Sequence, residues 1–287
     1  MYHPGELTVQ RRTGLRERAG HTGRSIGDTI PPVAARFLTE RRTLVVGAAD
    51  GDGRLWATQL SGPAGFLRAT DPRTLAVAAG PVPGDPLATA LARPAEVGTI
   101  ALDPAGRRRM RLNGRSAPDG AGGLLVSAAQ VYANCPKHIR RRSPADAPAR
   151  PATAAAADRL TLRQQLAVAT ADTFFVATAG PDGTVDASHR GGAPGFVEAV
   201  GPDELRWPEF AGNAMFMTLG NLELDDRAGL LLPDWETGGA LLLTGRARVD
   251  WSAPGTPSVR YRVERVVELT HATALTWTDE EVPAARR

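Results

Sequence analysis

Two stretches of this chain gather the residue types that do chemistry. In "DASHRGGAPGF", residues 186–196, Ser188, His189 and Arg190 end an apolar run, and Gly191 and Gly192 follow, where a backbone can approach another group closely. An arginine so placed can grip an anion. Downstream, in "WPEFAGNAMFMTLGNL", Gly212 and Asn213 stand where a short helix could open with its free N–H groups toward a phosphate. The plainer reading is a tight corner and a helix cap.

The second stretch is "VYANCPKHIRRR", residues 131–142. It holds the only cysteine, Cys135, and the only lysine, Lys137, beside His138 and three arginines. A metal site needs three or four convergent ligands, and histidines at 3, 21, 138, 189 and 271 with one cysteine give no such spacing. A reactive thiol would profit from the cationic surroundings, whereas the adjoining Pro136 and the habits of lone cysteines favour a small buried hydrophobe. The remaining readings, an anion site and a junction between domains, are compatible. Lys137, His138 or Arg140 would serve the anion, while Arg141 and Arg142 read as a solvated face. In "RRRMRLNG", Arg107, Arg109 and Arg111 alternate and would share one strand face, a row suited to a phosphate-bearing substrate, an acidic partner or nucleic acid. Without interleaved aromatics nucleic acid is the weakest of the three.

These residues need elements to position them, and those elements repeat. Residues 56–77 and 186–207 align at a spacing of 130 with seven identities in 22 positions, among them Gly62/Gly192, Gly65/Gly195 and Phe66/Phe196. In both halves an apolar strand, a turn with Asp-Gly and a second strand precede the match, which reads as a hairpin. Strands recur at short spacing between Gly, Pro and Asp, so the chain reads as mainly β, a sandwich or barrel in each half. Short helices are expected within 31–42, 85–93 and 157–170, where apolar residues recur three and four apart. The division is an N-terminal arm at 1–30, a first barrel at 31–142, a Pro/Ala-rich linker at 143–157 and a second barrel at 158–287. The arm, charged and with little periodicity, either packs on the second half or stays mobile.

With 287 residues, 42% hydrophobic and 23% charged, the chain is long enough for two ordinary domains and globular in composition. No run of 18 apolar residues occurs and no signal-peptide pattern opens the sequence, so a soluble cytoplasmic protein without membrane contact is expected. One cysteine rules out an internal disulfide and a thiolate zinc cage. The net charge of +3 is small, and the dominance of arginine fits either anion contact or the Ala, Gly, Pro and Arg bias of a GC-rich genome.

Taken together, "TLVVGAADGDGRLWATQLSGPAGFL", "GDPL", "RRRMRLNG", "VYANCPKHIRRR" and the run from "SHRGG" to "LLLPDW" resemble the pyridoxamine 5'-phosphate oxidase-like, FMN-binding split-barrel proteins, and among them the tandem bacterial members. The resemblance spans about residues 30–250. It implies two six-stranded Greek-key split barrels that form within one chain the pair simpler members form as a homodimer, with FMN in the groove between them. By the same resemblance Ser188, His189, Arg190, Gly191 and Gly192 line the flavin, and Trp207, Pro208 and Asn213 belong to the strand and turn that hold its phosphate. Lys137 and Arg109 would reach the groove from the first half. The phosphate turn departs from the family pattern by offering Gly212, Asn213 and Ala214 instead of basic residues. "WATQLSGPAGF" in the first half has no arginine before its glycines, so one flavin per chain is expected.

The leading expectation is an FMN-dependent oxidoreductase acting on a small organic substrate, with a deazaflavin as an alternative cofactor and no side chain assigned as acid or base. Alternatives from other classes are a non-catalytic module that sequesters FMN or haem, with His189 or His138 as axial ligand, and a scaffold that binds nothing. A monomer would be complete, and a homodimer stays open.

Overall fold

The structure, a computed structural model, describes residues 2–134, 136–253 and 256–279. The arm, read from sequence as having little periodicity, forms two helices, α1 (Pro4–Arg12) and α2 (Arg16–Gly23). The local signals are a capping box from His3 to Glu6 and Pro4 in the first turn.

The first half comprises α3 (Pro32–Thr39), β1 (Thr43–Ala49), β2 (Leu55–Ser61), β3 (Leu67–Asp71), β4 (Thr74–Val77), α4 (Ala88–Leu91), β5 (Ala95–Asp103), β6 (Arg108–Pro118) and β7 (Leu124–Ala133). The 143–157 stretch carries β8 (Arg142–Asp146) and β9 (Thr153–Ala157). The second half comprises α5 (Leu162–Thr170), β10 (Thr173–Ala179), β11 (Val185–Gly191), β12 (Glu198–Ala199), β13 (Glu204–Pro208), α6 (Met217–Leu222), β14 (Arg227–Pro233), β15 (Ala240–Asp250), β16 (Ser258–Thr270) and β17 (Leu275–Asp279). Thr161 and Gln164 form the capping box that starts α5.

Two antiparallel sheets carry the chain, in the orders β2-β1-β5-β6-β7-β4-β3 and β11-β10-β14-β15-β16-β13-β12. The second order is the first with every strand replaced by its counterpart in the other half, so the two split barrels share one topology. Each has one strand more than six, because the chain after β2 and β11 returns as a short hairpin. Both barrels break register at the same place, between Asn113 and Gly114 and between Thr244 and Gly245. A side chain on either glycine would run into the facing strand's carbonyl, of Ser127 or Arg262.

The linker stretch is exposed, as its composition suggests, yet it is not free of structure. β8 pairs with β17, and β9 pairs with β16 as an added edge strand.

The halves pack reciprocally: β2 lies against β14 and β15, and β11 against β5 and β6. This is the isologous pattern of a two-fold dimer inside one chain. A Cβ on Gly47 would come within 2.7 Å of the Cβ of Ala177, its own counterpart at the 130-residue spacing, as required where a pseudo-axis passes. A Cβ on Gly98 would meet the backbone of Asp186 and Ala187 at 2.5 Å, and one on the counterpart Gly229 would meet Trp56 at 2.5 Å. The main core accordingly mixes halves, joining Val46, Trp56 and Ile100 with Phe175, Ala187 and Leu231.

Gly98→Val should therefore push β5 from β11 and lower the unfolding free energy by about 1–3 kcal/mol, the usual cost of overpacking. The same change at Gly51, where no atom lies within 4 Å of an added Cβ, should cost far less. Urea denaturation of both variants checks this.

Candidate functional site

A cleft of about 570 Å³ opens where β6, Asn134, Lys137 and His138 of the first half face β11 and the 208–219 segment of the second. Its lining includes Ser188, His189, Arg190, Gly191, Pro208, Asn213, Lys137 and Arg109. Eight of the ten sequence-predicted site residues thus come together from both halves. Gly192 and Trp207 are not among its lining residues. A Cβ on Gly192 would strike the Phe196 ring, and Trp207 is 1% exposed in the second core against Phe174 and Tyr261.

Several of the eight are already engaged. The Ser188 hydroxyl accepts a hydrogen bond from Thr218 at 3.1 Å. Arg190 donates through Nε to Glu209 at 2.8 Å, and the same carboxylate oxygen accepts from the Trp207 indole at 2.9 Å. Glu209 therefore balances the charge of Arg190, which is not a bare anion ligand. Asn213 accepts from the Met215 N–H at 3.1 Å, an Asx turn, while α6 opens only at Met217. Just before it Ala214 and Phe216 take φ of +65° and +59°, backbone that non-glycine residues adopt at a cost.

The arm meets the cost by fastening this loop. Gln10 donates to the Met215 carbonyl at 3.2 Å, Arg18 to Gly212 at 3.4 Å, and α1 packs on α6. Arg12, Thr13 and Leu15 of the arm line the cleft as well, residues that sequence reasoning missed for want of any motif.

Arg109 and Arg111 also line the cleft, as the strand-face reading expects. Arg107 does not belong to that row. It sits in the preceding turn at φ +50° and donates to the Pro136 carbonyl. Arg111 is buried and forms an ion pair with Asp186 across the barrel interface. Asn113 donates to Asp186 at 3.3 Å, and the Tyr132 hydroxyl lies 2.8 Å from the Met217 sulfur. Burial raises the Tyr132 hydroxyl to about 12, so it stays protonated.

His189 is fully enclosed, with Arg109 Nη1 2.7 Å from its Nδ1. Burial first, then the charges of Arg109 and Arg190 with His138, hold its pKa well below 6.5. Around it stands a run of nearly parallel rings: His138 on Phe210 (5.1 Å, 22°), Phe210 on Phe196 (6.5 Å, 28°) and Phe196 on Phe174 (5.7 Å, 20°). A Cβ on Gly191 would strike the His138 carbonyl, which is how the 136–138 turn comes so near β11.

The rest of 131–142 divides by residue. Lys137 and His138 reach the cleft, whereas Arg140 pairs with Asp172 and Asp279. Arg142 corrects its reading as solvated: it is 6% exposed, paired with Asp172 at 2.6 Å, and lies over the Trp235 ring at 4.9 Å. Cys135 lies outside the described residues. Among the described residues no group of three His, Cys, Asp or Glu is arranged to hold a metal. No helix among them is long and apolar enough to cross a membrane.

The counterpart cleft is built differently. Where the open one has Arg109, Arg111 and Arg190, the other half has Ala240, Leu242 and Leu60, all buried in the main core. β9 runs along β16 beside it, with Ala154 against Gly84. In the first half the matching pairing is a single bridge, Gly27 to Val131, after which the arm leaves as α2.

No family model matches this chain, and no curated protein does. Some solved structures resemble part of it. A provisionally assigned pyridoxamine 5'-phosphate oxidase from Lactobacillus delbrueckii is 17% identical over 38% of this chain and 94% of its own, with a TM-score of 0.33. HupZ of Group A Streptococcus is 14% identical over 37% and 91%, TM-score 0.32. An FAD-binding protein from Mesorhizobium loti is 12% identical over 41% and 98%, TM-score 0.29.

A depressed folded-state pKa for His189 means that the unfolded chain takes up this proton first. Its contribution is intact above pH 6.5 and is lost as pH falls from there toward the folded-state value. The loss approaches about 1.4 kcal/mol per pH unit for one proton. His189→Gln should remove that slope, so denaturation of both proteins between pH 7 and pH 5 should show stabilities that converge as the pH drops.

Proposed function

We propose that this chain is a tandem split-barrel flavoprotein that holds FMN noncovalently in the cleft between its barrels and acts as an oxidoreductase on a small organic substrate. The observation that carries the proposal is the composition of that cleft: cations from the first half and aromatic rings from both halves line a space of about 570 Å³. Cofactor pockets are commonly of ~300–1,000 Å³, mostly apolar with a few placed polar groups.

The residues present fit such a group. Lys137 has no hydrogen bond or ion pair among the described residues. It would carry the phosphate charge, with the guanidinium of Arg109 lining the same cleft. His138, Phe196 and Phe210 bring aromatic surface to the cleft wall, against which a planar heterocycle would pack. Bound FMN supplies the redox chemistry, transfer of a hydride to or from a substrate. The chain's part is to exclude water, neutralise the phosphate and fix the ring's polar edge. The apolar counterpart cleft supports one flavin per chain.

A second reading, haem, is favoured by one observation, that His138 and His189 both line the cleft.

The test is the visible spectrum of the purified protein before and after incubation with excess FMN and desalting. One equivalent per chain is expected, and a colourless protein that retains none would reject the proposal. Lys137→Ala should weaken FMN about tenfold, as loss of a charge-assisted contact does. Arg115→Ala, on an exposed β6 position, should leave affinity unchanged.

A further inference from the structure

The contact between Arg109 and His189 determines something the fold alone does not. A guanidinium has no acceptor and keeps its protons, so when Arg109 Nη1 stands 2.7 Å from His189 Nδ1, the imidazole nitrogen must accept. The neutral ring then carries its one proton on Nε2. That Nε2 is buried and has no hydrogen-bond partner among the described residues, although His189 lines the cleft. A buried donor left unsatisfied is costly, and in a ligand cleft it is the ligand that satisfies it.

We infer that Arg109 and His189 form a fixed hydrogen-bond donor, Nε2–H, which selects a ligand presenting an acceptor such as a ring carbonyl or imine nitrogen and opposes coordination of a metal by His189. A metal would need the Nε2 lone pair, hence the proton on Nδ1, where Arg109 already donates. The surroundings hold this state. Phe175 packs edge-on to the ring at 5.6 Å, and the charged or titratable groups around it are Arg109, Arg190 and His138, none of them a carboxylate that would stabilise imidazolium. Arg109 is thus a positioning residue: it acts through His189. In the counterpart half the position of His189 is Gln59 and that of Arg109 is Ala240, so the device exists once.

The inference rests on the cleft as ligand site, in keeping with the flavin reading, but its first test needs no flavin. Nitrogen-15 spectra of the ligand-free full-length protein with labelled histidine should show His189 as the Nε2–H tautomer at neutral pH. Arg109→Met should shift it toward a mixture. An Nδ1–H tautomer in the wild type would overturn the inference. In hemin titrations of the wild type, a Soret shift abolished by His189→Leu would overturn it too; a spectrum indifferent to that change supports it. With FMN, His189→Gln, which keeps a donor, should bind within about threefold of wild type, and His189→Leu about tenfold more weakly. Equal affinities for the two variants would overturn the contact. FMN failing to bind at all, with the Nε2–H tautomer observed, would reject the flavin reading and leave the donor assignment standing.

Discussion

The structure depends on how closely the backbones of its two halves approach each other. At the pseudo-axis Gly47 lies against Ala177, and to either side Gly98 and Gly229 accept the backbones of β11 and β2. Larger residues there would hold the barrels apart, and Phe175, Ala187 and Leu231 would lose the core they share with Val46, Trp56 and Ile100. The cleft follows from the same contact. One wall is β6 with Asn134, Lys137 and His138, the other β11 and the 208–219 segment, so neither barrel owns it. An intrachain pair also removes the dependence on concentration that a homodimer would bring.

Two-fold packing alone would give two equal clefts, and the chain breaks that symmetry in two ways. Side chains do it first, with Ala240, Leu242 and Leu60 standing where the open side has Arg109, Arg111 and Arg190. The entering segment does it second: before the second barrel it continues along β16 as β9, and before the first it touches β7 once, at Gly27, then turns off into α2 and α1. The arm so released fastens the strained loop at Ala214 and Phe216 and adds Arg12, Thr13 and Leu15 to the wall. The two equivalent segments thus differ in use, one covering a sheet edge and the other lining the cleft.

Much of this was legible in the residues. The 130-residue repeat is strong because hairpin turns and close backbone approaches demand particular glycines, and those survive in both halves. Ser188, His189 and Arg190 stand out as a polar end to an apolar strand before two glycines, and the structure places all three at the cleft. What stayed hidden is decided by partners distant in sequence. The balancing of Arg190 by Glu209 spans 19 residues, and the burial of Arg142 depends on Asp172 and Trp235. By resemblance Trp207 reads as part of the phosphate-holding strand, and it is the packing of Phe174 and Tyr261 around it that puts it in the core. The arm is held by packing rather than by its own pattern: α1 rests on α6, and α2 on α1.

The same bookkeeping of partners describes the electrostatics of the cleft. Arg111 is matched by Asp186 and Arg190 by Glu209, both within the protein. Lys137 and Arg109 face the cleft from the first half, Arg109 with a guanidinium nitrogen against His189. His189 adds no positive charge of its own, because burial among cations keeps it neutral. Cationic side chains enter the cleft from the first half, aromatic rings line it from both halves, and a neutral N–H donor stands among them. A ligand complementary to that arrangement is anionic at one end, planar at the other, and carries a hydrogen-bond acceptor on the planar part, which is a narrower description than the fold supplies by itself.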